Sequence, residues 1–166
     1  MDVDGEQRFR AWATARAGRL HRTAYLLCGD WHVAEDLVQE ALAQAALHWR
    51  RIEGLGNPDA YVRRILLNQT GQRWRRRSTH ERPANPLPET VVGDGSPERA
   101  ARDELLTALR LLPPRQRAAV VLRYFEQLSE AETATALDCS VGTVKSQTSR
   151  ALATLRHVLN TQEIPC

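Results

Sequence analysis

The sequence predicts an all-α protein: two small helical modules joined by a flexible Pro/Gly-rich linker, the C-terminal module containing a helix-turn-helix. Three observations predict it. Ala, Leu and Arg, all good helix formers, are abundant, while the aromatic content is only 5%. Apolar residues recur at three- and four-residue intervals through most of the chain. That periodicity stops between Ser78 and Ser96, where Pro83, Pro86, Pro88, Gly93 and Gly95 mark a linker. The 166 residues thus divide into a module over 6–77, a linker over 78–96 and a module over 97–160. Each module is only about 70 residues, so each has a modest core and can lean on partners for stability.

The first helical pattern, Arg8 to Leu27, places Phe9, Trp12, Leu20, Ala24 and Leu27 inward, with a break expected near Gly18. Gly29-Asp30 then reads as a stop followed by a start. From Trp31 to Trp49 the inward positions are Val33, Leu37, Ala41, Ala45 and Trp49, with Glu35 and Asp36 suited to the positive end of the helix dipole. The opposite face carries Asp36, Gln39, Glu40 and Ala43, an acidic and small-residue stripe that would ordinarily be solvated surface. Glu53-Gly54-Leu55-Gly56 reads as a flexible loop. Asn57-Pro58 restarts a helix, with Asn as N-cap and Pro at the first helical position. Through Arg77 this helix is expected to bury Val62, Ile65, Leu66 and Gln69 and to expose Arg64, Asn68, Gln72 and Arg75, continued by Arg73, Trp74, Arg76 and Arg77. Arginines interleaved with a tryptophan and amides suit phosphate contacts and base stacking.

Ser96-Pro97 is another cap-plus-proline start, with Leu105, Leu109 and Leu112 on one face before Pro113-Pro114 ends the helix. Ala118, Val121, Leu122 and Phe125 repeat the helical spacing without a fault. Ser129 followed by Glu132 is a capping box. Ala134 and Leu137 are the apolar positions of that short helix, and Asp138-Cys139-Ser140 interrupts the pattern. Ser140 can cap a further helix whose inward face is Val144, Thr148, Ala151, Leu155 and Val158. Its outward stripe is Thr143, Ser146, Gln147 and Arg150. Two short helices, a tight turn and a polar second helix make a helix-turn-helix.

Charge supports a dipolar molecule. Net charge is +3 with a sequence pI near 9.0. Between Ala60 and His80 there are six arginines and no acid, whereas Leu26 to Glu53 leans acidic. Such a chain can engage nucleic acid on one face and a basic protein on another. Cys28, Cys139 and Cys166 are odd in number and widely spaced, which implies neither a disulfide framework nor a metal cluster. No apolar run reaches the ~20 residues of a membrane span, and the acidic N-terminus is no signal peptide. A cytoplasmic protein without metal, cofactor or membrane insertion is expected.

The segments TAYLLCGDWHVAEDLVQEALAQA and NPDAYVRRILLNQTGQRWRRR, then a linker, then LPPRQRAAVVLRYFEQLSEAETATALDCSVGTVKSQTSRALATLR, closely resemble a bacterial RNA polymerase sigma factor of the sigma-70 family. Within that family the chain is similar to the extracytoplasmic-function group, especially its actinobacterial sigma-E-like members. The resemblance implies a non-catalytic role in transcription initiation, with core RNA polymerase and promoter DNA as partners and an anti-sigma factor as a possible third. It implies that Asp36, Leu37, Val38, Gln39 and Glu40 dock on the clamp helices of the largest polymerase subunit. It implies further that Arg64, Asn68, Gln72, Arg73, Trp74, Arg75, Arg76 and Arg77 hold the melted −10 DNA, with the Glu53–Asn57 loop capturing a flipped base. Ser140, Thr143, Lys145, Ser146, Gln147 and Arg150 are carried over as contacts to the −35 element. Here Gln147 and Arg150 are long enough to reach base edges. The chain departs from the family pattern at Asp138, where Gly is common, at Gln147, often basic, and at Thr148, often apolar.

Two other readings compete. A stand-alone helix-turn-helix regulator usually dimerises on a palindrome, but no heptad or long apolar dimer helix is present, and the Arg/Trp stripe would be unexplained. An enzyme with a helix-turn-helix tail, such as a recombinase, needs a catalytic constellation, and His21, His32, His48, His80 and His157 show no ligand or triad spacing.

Overall fold

Every helix start expected from a capping residue lies at that residue. In the computed structural model, which describes residues 2–79 and 96–162, Asp30 Oδ1 accepts from Val33 N at 3.0 Å and opens α2 (Trp31–Leu47). Asn57 Oδ1 accepts from Ala60 N at 3.1 Å and opens α4 (Pro58–Thr79). Ser96 Oγ caps α5 (Pro97–Leu111) through Arg99 N at 3.3 Å. The reciprocal Ser129/Glu132 box opens α7 (Glu130–Leu137), and Ser140 Oγ caps α8 (Val141–Gln162) through Thr143 N at 3.1 Å. These bonds satisfy amides that a helix start leaves unpaired.

The first module packs α1 (Val3–Cys28), α2, α3 (Trp49–Gly54) and α4 around one core. Val33, Leu37, Ala41, Ala45 and Trp49 are all buried in it, joined by Ala34, Val38, Ile52, Val62 and Leu66. Phe9, Trp12 and Trp49 form an aromatic cluster at one end, with ring centroids 5.3 Å apart for Phe9–Trp49 and 5.4 Å for Trp12–Trp49. Ile65 and Gln69 are half-buried rather than enclosed.

Three local expectations are corrected here. Helix α1 runs unbroken through Gly18, which is exposed with open space around its Cα. A glycine there costs about 1 kcal/mol of helix propensity relative to alanine, too little to end a helix whose other face is in the core. The expected single helix from Trp31 to Trp49 instead turns at His48 into α3. Glu53 lies inside α3, where its carboxylate accepts from Arg8 Nε at 2.6 Å, so the loop shrinks to Leu55-Gly56-Asn57, with Gly56 at φ +75°.

The second module comprises α5, α6 (Pro114–Val120), a π turn over Val121–Phe125, α7 and α8. Leu109 and Leu112 are buried with Ala108, Val120, Ala151 and Leu155, but Leu105 is 44% exposed, because the first half of α5 stands clear of the rest of the module. Ala118, Val121 and Leu122 are buried as their spacing requires. The helix carrying them nevertheless widens, and Glu126 N bonds back five residues to Val121 O at 3.0 Å. Such one-turn π segments are uncommon and local. The expected linker falls almost wholly outside the described residues, as does Cys166; Ser78 and Thr79 still belong to α4.

The two modules pack against each other. Leu27 of α1 shares a small cluster with Ala118 and Val121, flanked by Leu26, Leu67, Phe125 and Leu137. Arg117, only 7% exposed, donates to the carbonyls of Leu109, Arg110 and Leu112 at the end of α5 and of Leu27 at the end of α1. Two helix C-termini, each a partial negative charge, thus face one guanidinium. Burial lowers the pKa of Arg117 from its ordinary value, and arginine's high intrinsic basicity keeps it charged. Arg110 also reaches the Gly29 carbonyl at the left-handed cap of α1.

Candidate nucleic-acid interface

On α4, the residues expected to face outward do so. Arg64, Asn68, Gln72, Arg73, Trp74, Arg75, Arg76 and Arg77 are all exposed. The helix is anchored by Val62 and Leu66 in its first half, and from Gln72 onward every described side chain is exposed. None of Arg64, Arg73, Arg75, Arg76 or Arg77 takes part in an ion pair among the described residues. By contrast Arg8, Arg10, Arg16, Arg19 and Arg63 are all matched with acids. Beside them Trp74 leaves 47% of its surface open. Cations without counter-charges, next to an exposed indole, offer phosphates and bases a place to sit.

On α8, the outward residues form a short ordered stripe. Ser140 Oγ lies 2.9 Å from Thr143 Oγ1, and Ser146 Oγ donates to Thr143 O at 3.3 Å. Lys145 Nζ is 3.7 Å from Glu130 on α7. Arg150 is exposed, while Thr143 and Gln147 are half-buried. Underneath, Val144, Ala151 and Leu155 fix the helix in the core, and Thr148 and Val158 are half-buried. The turn between α7 and α8 passes through Asp138 at φ 54° and ψ 50°, the left-handed conformation that Gly would adopt without strain. Cys139 N closes the turn on Ala134 O at 3.0 Å. The geometry is that of a helix-turn-helix with its second helix presented to solvent.

The acidic segment of α2 divides. Asp36, Gln39 and Glu40 are exposed along one stripe, with Ala43 beside them. Leu37 and Val38 are 4% and 0% exposed, so these two candidates are corrected: they hold the helix in the core and offer a partner no surface. Helical geometry demands this, since five consecutive residues cannot share one face. Among the described residues no cluster of His, Cys, Asp or Glu can hold a metal. No helix among them is long and apolar enough to cross a membrane. Cys28 and Cys139 are free thiols, and burial pushes the pKa of Cys28 up.

Sequence reasoning missed the polar groups joining the modules: Thr23, Arg110, Arg117 and Glu126. Their partners across the modules lie 63 to 107 residues away along the chain, as in Arg63–Glu126 and Arg19–Glu126, and a buried charge has no periodic signature distinguishing it from a surface one.

Comparison with known proteins agrees with this geometry. Residues 12–80 match the family model described as Sigma-70 region 2, and residues 102–155 match Sigma-70, region 4. The chain is 42% identical to the RNA polymerase sigma-E factor of Streptomyces coelicolor, over 94% of this chain and 88% of that one. It is 35% identical to the ECF RNA polymerase sigma factor SigM of Mycobacterium tuberculosis, over 85% and 71%. Among solved structures it superposes with a TM-score of 0.74 at 25% identity on the sigma factor RpoE, determined in complex with the anti-sigma factor NepR, from Bartonella quintana. That match covers 93% of this chain and 98% of the other. A region 2 module, a region 4 module and relatives that align along nearly the whole chain place it in the sigma-70 family of RNA polymerase sigma factors, as a member of the extracytoplasmic-function group.

Proposed function

We propose that this sigma factor joins core RNA polymerase through the Asp36–Gln39–Glu40 stripe of α2, reads the −35 element with α8, and holds the melted −10 strand on α4. The module over 6–77 would carry polymerase and −10 binding, the segment 78–96 would connect, and the module over 97–160 would carry −35 binding. The observation that carries the reading is the pair of outward stripes on α4 and α8, chemically different and on separate modules. Arginine, tryptophan and amides suit a single strand, whose bases are free to stack. Short hydroxyls with Lys145 suit phosphates, and Gln147 with Arg150 suits base edges in a major groove. Promoter opening on this scheme is offset by strand capture and needs no nucleotide hydrolysis, cofactor or metal. The cytoplasm is the compartment where polymerase and promoter are found. The fold shared with a sigma factor solved beside its anti-sigma factor makes such a regulator a candidate partner here.

Reversing charge on the α2 stripe tests the reading. Asp36 and Glu40 are exposed and neither is in an ion pair among the described residues, so Asp36→Lys with Glu40→Lys should change stability by no more than about 0.5 kcal/mol per site. Against a basic polymerase surface the same change should cost several kcal/mol of association. The double variant is expected to keep its circular dichroism and its −35 binding, yet to stop co-eluting with core polymerase and to fail in run-off transcription. Holoenzyme formation at parental affinity would show that the docking surface lies elsewhere.

A further inference from the structure

We propose that Ser78, in the last turn of α4, is the acceptor of a phosphoryl group from an ATP-dependent protein kinase with an acidic substrate groove, and that the phosphate turns off strand capture by this helix. The inference rests on the reading of α4 as the element that holds the melted −10 strand. Among the described hydroxyl side chains, only Ser78 and Thr79 follow arginines at both the second and the third preceding positions, within the run Arg75-Arg76-Arg77-Ser78-Thr79. Guanidiniums at those places are what an acidic groove selects by charge complementarity. Arg75, Arg76 and Arg77 are available to it, since none of them takes part in an ion pair among the described residues.

The acceptor is accessible. Ser78 and Thr79 are both exposed, as is every described side chain of α4 from Gln72 onward, so the last turn can open into an extended substrate without disturbing the core. Thr148 makes the contrast: it follows Lys145 by three residues, but its hydroxyl oxygen is buried. Of the two candidates in the arginine run, Ser78 Oγ makes one bond, donated to Arg75 O at 2.9 Å. Thr79 Oγ1 is shared between Arg75 O at 3.3 Å and Arg76 O at 3.0 Å, and its β-branched carbon is more hindered. The primary hydroxyl of Ser78 is the easier one to release. In the transfer, Ser78 Oγ bonds to the γ-phosphorus of ATP as the bond from that phosphorus to the β–γ bridging oxygen breaks. ADP leaves, and the hydroxyl proton passes to the catalytic base of the kinase.

Position gives the phosphate its effect. Residues three and four apart on a helix are surface neighbours, so Ser78 stands beside Arg75 and Trp74, a cation and the exposed indole of the capture stripe. A phosphoserine carries about −1.5 to −2 charges and three acceptor oxygens. It draws Arg75 into an intramolecular pair and sets like charge against the backbone of an incoming strand. It also adds negative charge at the C-terminal end of α4, where the helix dipole is already negative, which loosens the last turn. Asp36, Gln39 and Glu40 and the α8 stripe lie on other helices, so polymerase docking and −35 binding keep their surfaces.

The acceptor is tested with the full chain, ATP labelled at its γ-phosphate and an extract of the cells that make the protein. Label is expected on the parent and on Thr79→Ala, with peptide mapping placing it on Ser78. Ser78→Ala should lose it, and so should Arg75→Ala with Arg76→Ala, which removes the directing cations. Absence of label from Ser78, or undiminished labelling without those arginines, overturns the proposal. The consequence is tested in holoenzyme assembled from core polymerase and a full chain carrying phosphoserine placed at position 78 during translation. Assembly and −35 duplex binding should match the parent, while open-complex formation on duplex promoters falls at least ~10-fold. The log–log salt slope for binding a single-stranded −10 non-template strand should drop by about 1.4, the share of two phosphate contacts. Unmodified Ser78→Ala should open promoters as the parent does, because the phosphate acts and the hydroxyl does not. Promoter opening undiminished by phosphoserine overturns the proposal, and it leaves the α4 reading standing where Arg75→Ala with Arg77→Ala weakens strand binding. If that arginine pair can be removed with no effect on strand binding, α4 does not hold the strand, and the proposal falls with that reading.

Discussion

Helices α4 and α8 are both 22 residues long and both present a candidate nucleic-acid stripe, yet they are built differently. The α8 stripe is cross-braced: Ser140, Thr143 and Ser146 bond among themselves, Lys145 is matched by Glu130, and Val144 and Ala151 are fully buried beneath. The α4 stripe is unbraced, with arginines outside any ion pair and a C-terminal half free of the core. Preorganisation suits a reader of base edges, whose hydrogen bonds need fixed geometry. A single strand has no fixed geometry, and long, loosely held cations with an indole can follow it. The contrast fits the proposal that the second module discriminates sequence and the first captures the strand.

Breaking the capture side should have the larger effect. Trp74→Ala with Asn68→Ala removes one stacking surface and one amide, and a stacked base is worth ~1–3 kcal/mol. Open-complex formation on duplex promoters should fall at least tenfold while −35 duplex binding is unchanged, and a pre-melted −10 bubble should restore part of the activity. Permanganate reactivity of the −10 thymines checks this; equal reactivity for variant and parent would remove capture from α4.

The reading side sharpens the contrast. Arg150→Ala should cost ~1–3 kcal/mol on the preferred −35 sequence and relax preference at one position. Lys145→Ala should weaken all sequences alike, by less, and lower the salt slope by about one. Promoter-library profiles separate the two, and a profile unaffected by Arg150→Ala would show that this side chain reads no base.

The smallest expected effect concerns the cap beneath the reading helix. Hydrogen bonds from the Ser129 backbone and then its side chain hold the Glu132 carboxyl below its ordinary value of 4.5. A lowered folded pKa means a stabilisation fully present above the unfolded value and lost as pH falls through the folded one. Thermal melts of the parent should therefore show an acid loss beginning below about pH 4.5 that Glu132→Gln lacks, because an amide oxygen still accepts from Ser129 N at any pH. Identical acid limbs for the two proteins would show that the box contributes nothing measurable.

Local features were legible in the sequence because their causes are local. Asp30, Asn57, Ser96, Ser129 and Ser140 cap where side-chain chemistry requires, and the spacing of Val33, Leu37, Ala41, Ala45 and Trp49 predicts their burial. Asp138 takes the left-handed turn as its place in the helix-turn-helix demands. The exposed stripes followed from the same periodicity. What periodicity does not encode is a neighbour from elsewhere in the chain. Leu105 has the spacing of a core residue but no partner helix above it, and the π turn at Val121–Phe125 sits inside a faultless α pattern. Leu37 and Val38 entered the docking segment because a motif is contiguous in sequence while a helix face is not. The Glu126 and Arg117 contacts depend on two modules meeting, which no spacing within either one reports.

The placement of the tryptophans has a spectroscopic consequence. All four, Trp12, Trp31, Trp49 and Trp74, lie in the first module, and the second has none. Trp12 and Trp49 lie against each other, tilted, within the aromatic cluster and Trp49 is 3% exposed, so their emission senses melting of that core alone. Denaturation followed by fluorescence and by circular dichroism will therefore diverge whenever the second module unfolds on its own. Trp74, open to solvent on α4, is an intrinsic probe of a different event: a base stacked on its ring should quench it. A Trp31→Phe background leaves Trp74 as the one exposed indole, and its signal can then time strand capture within the holoenzyme without an attached dye.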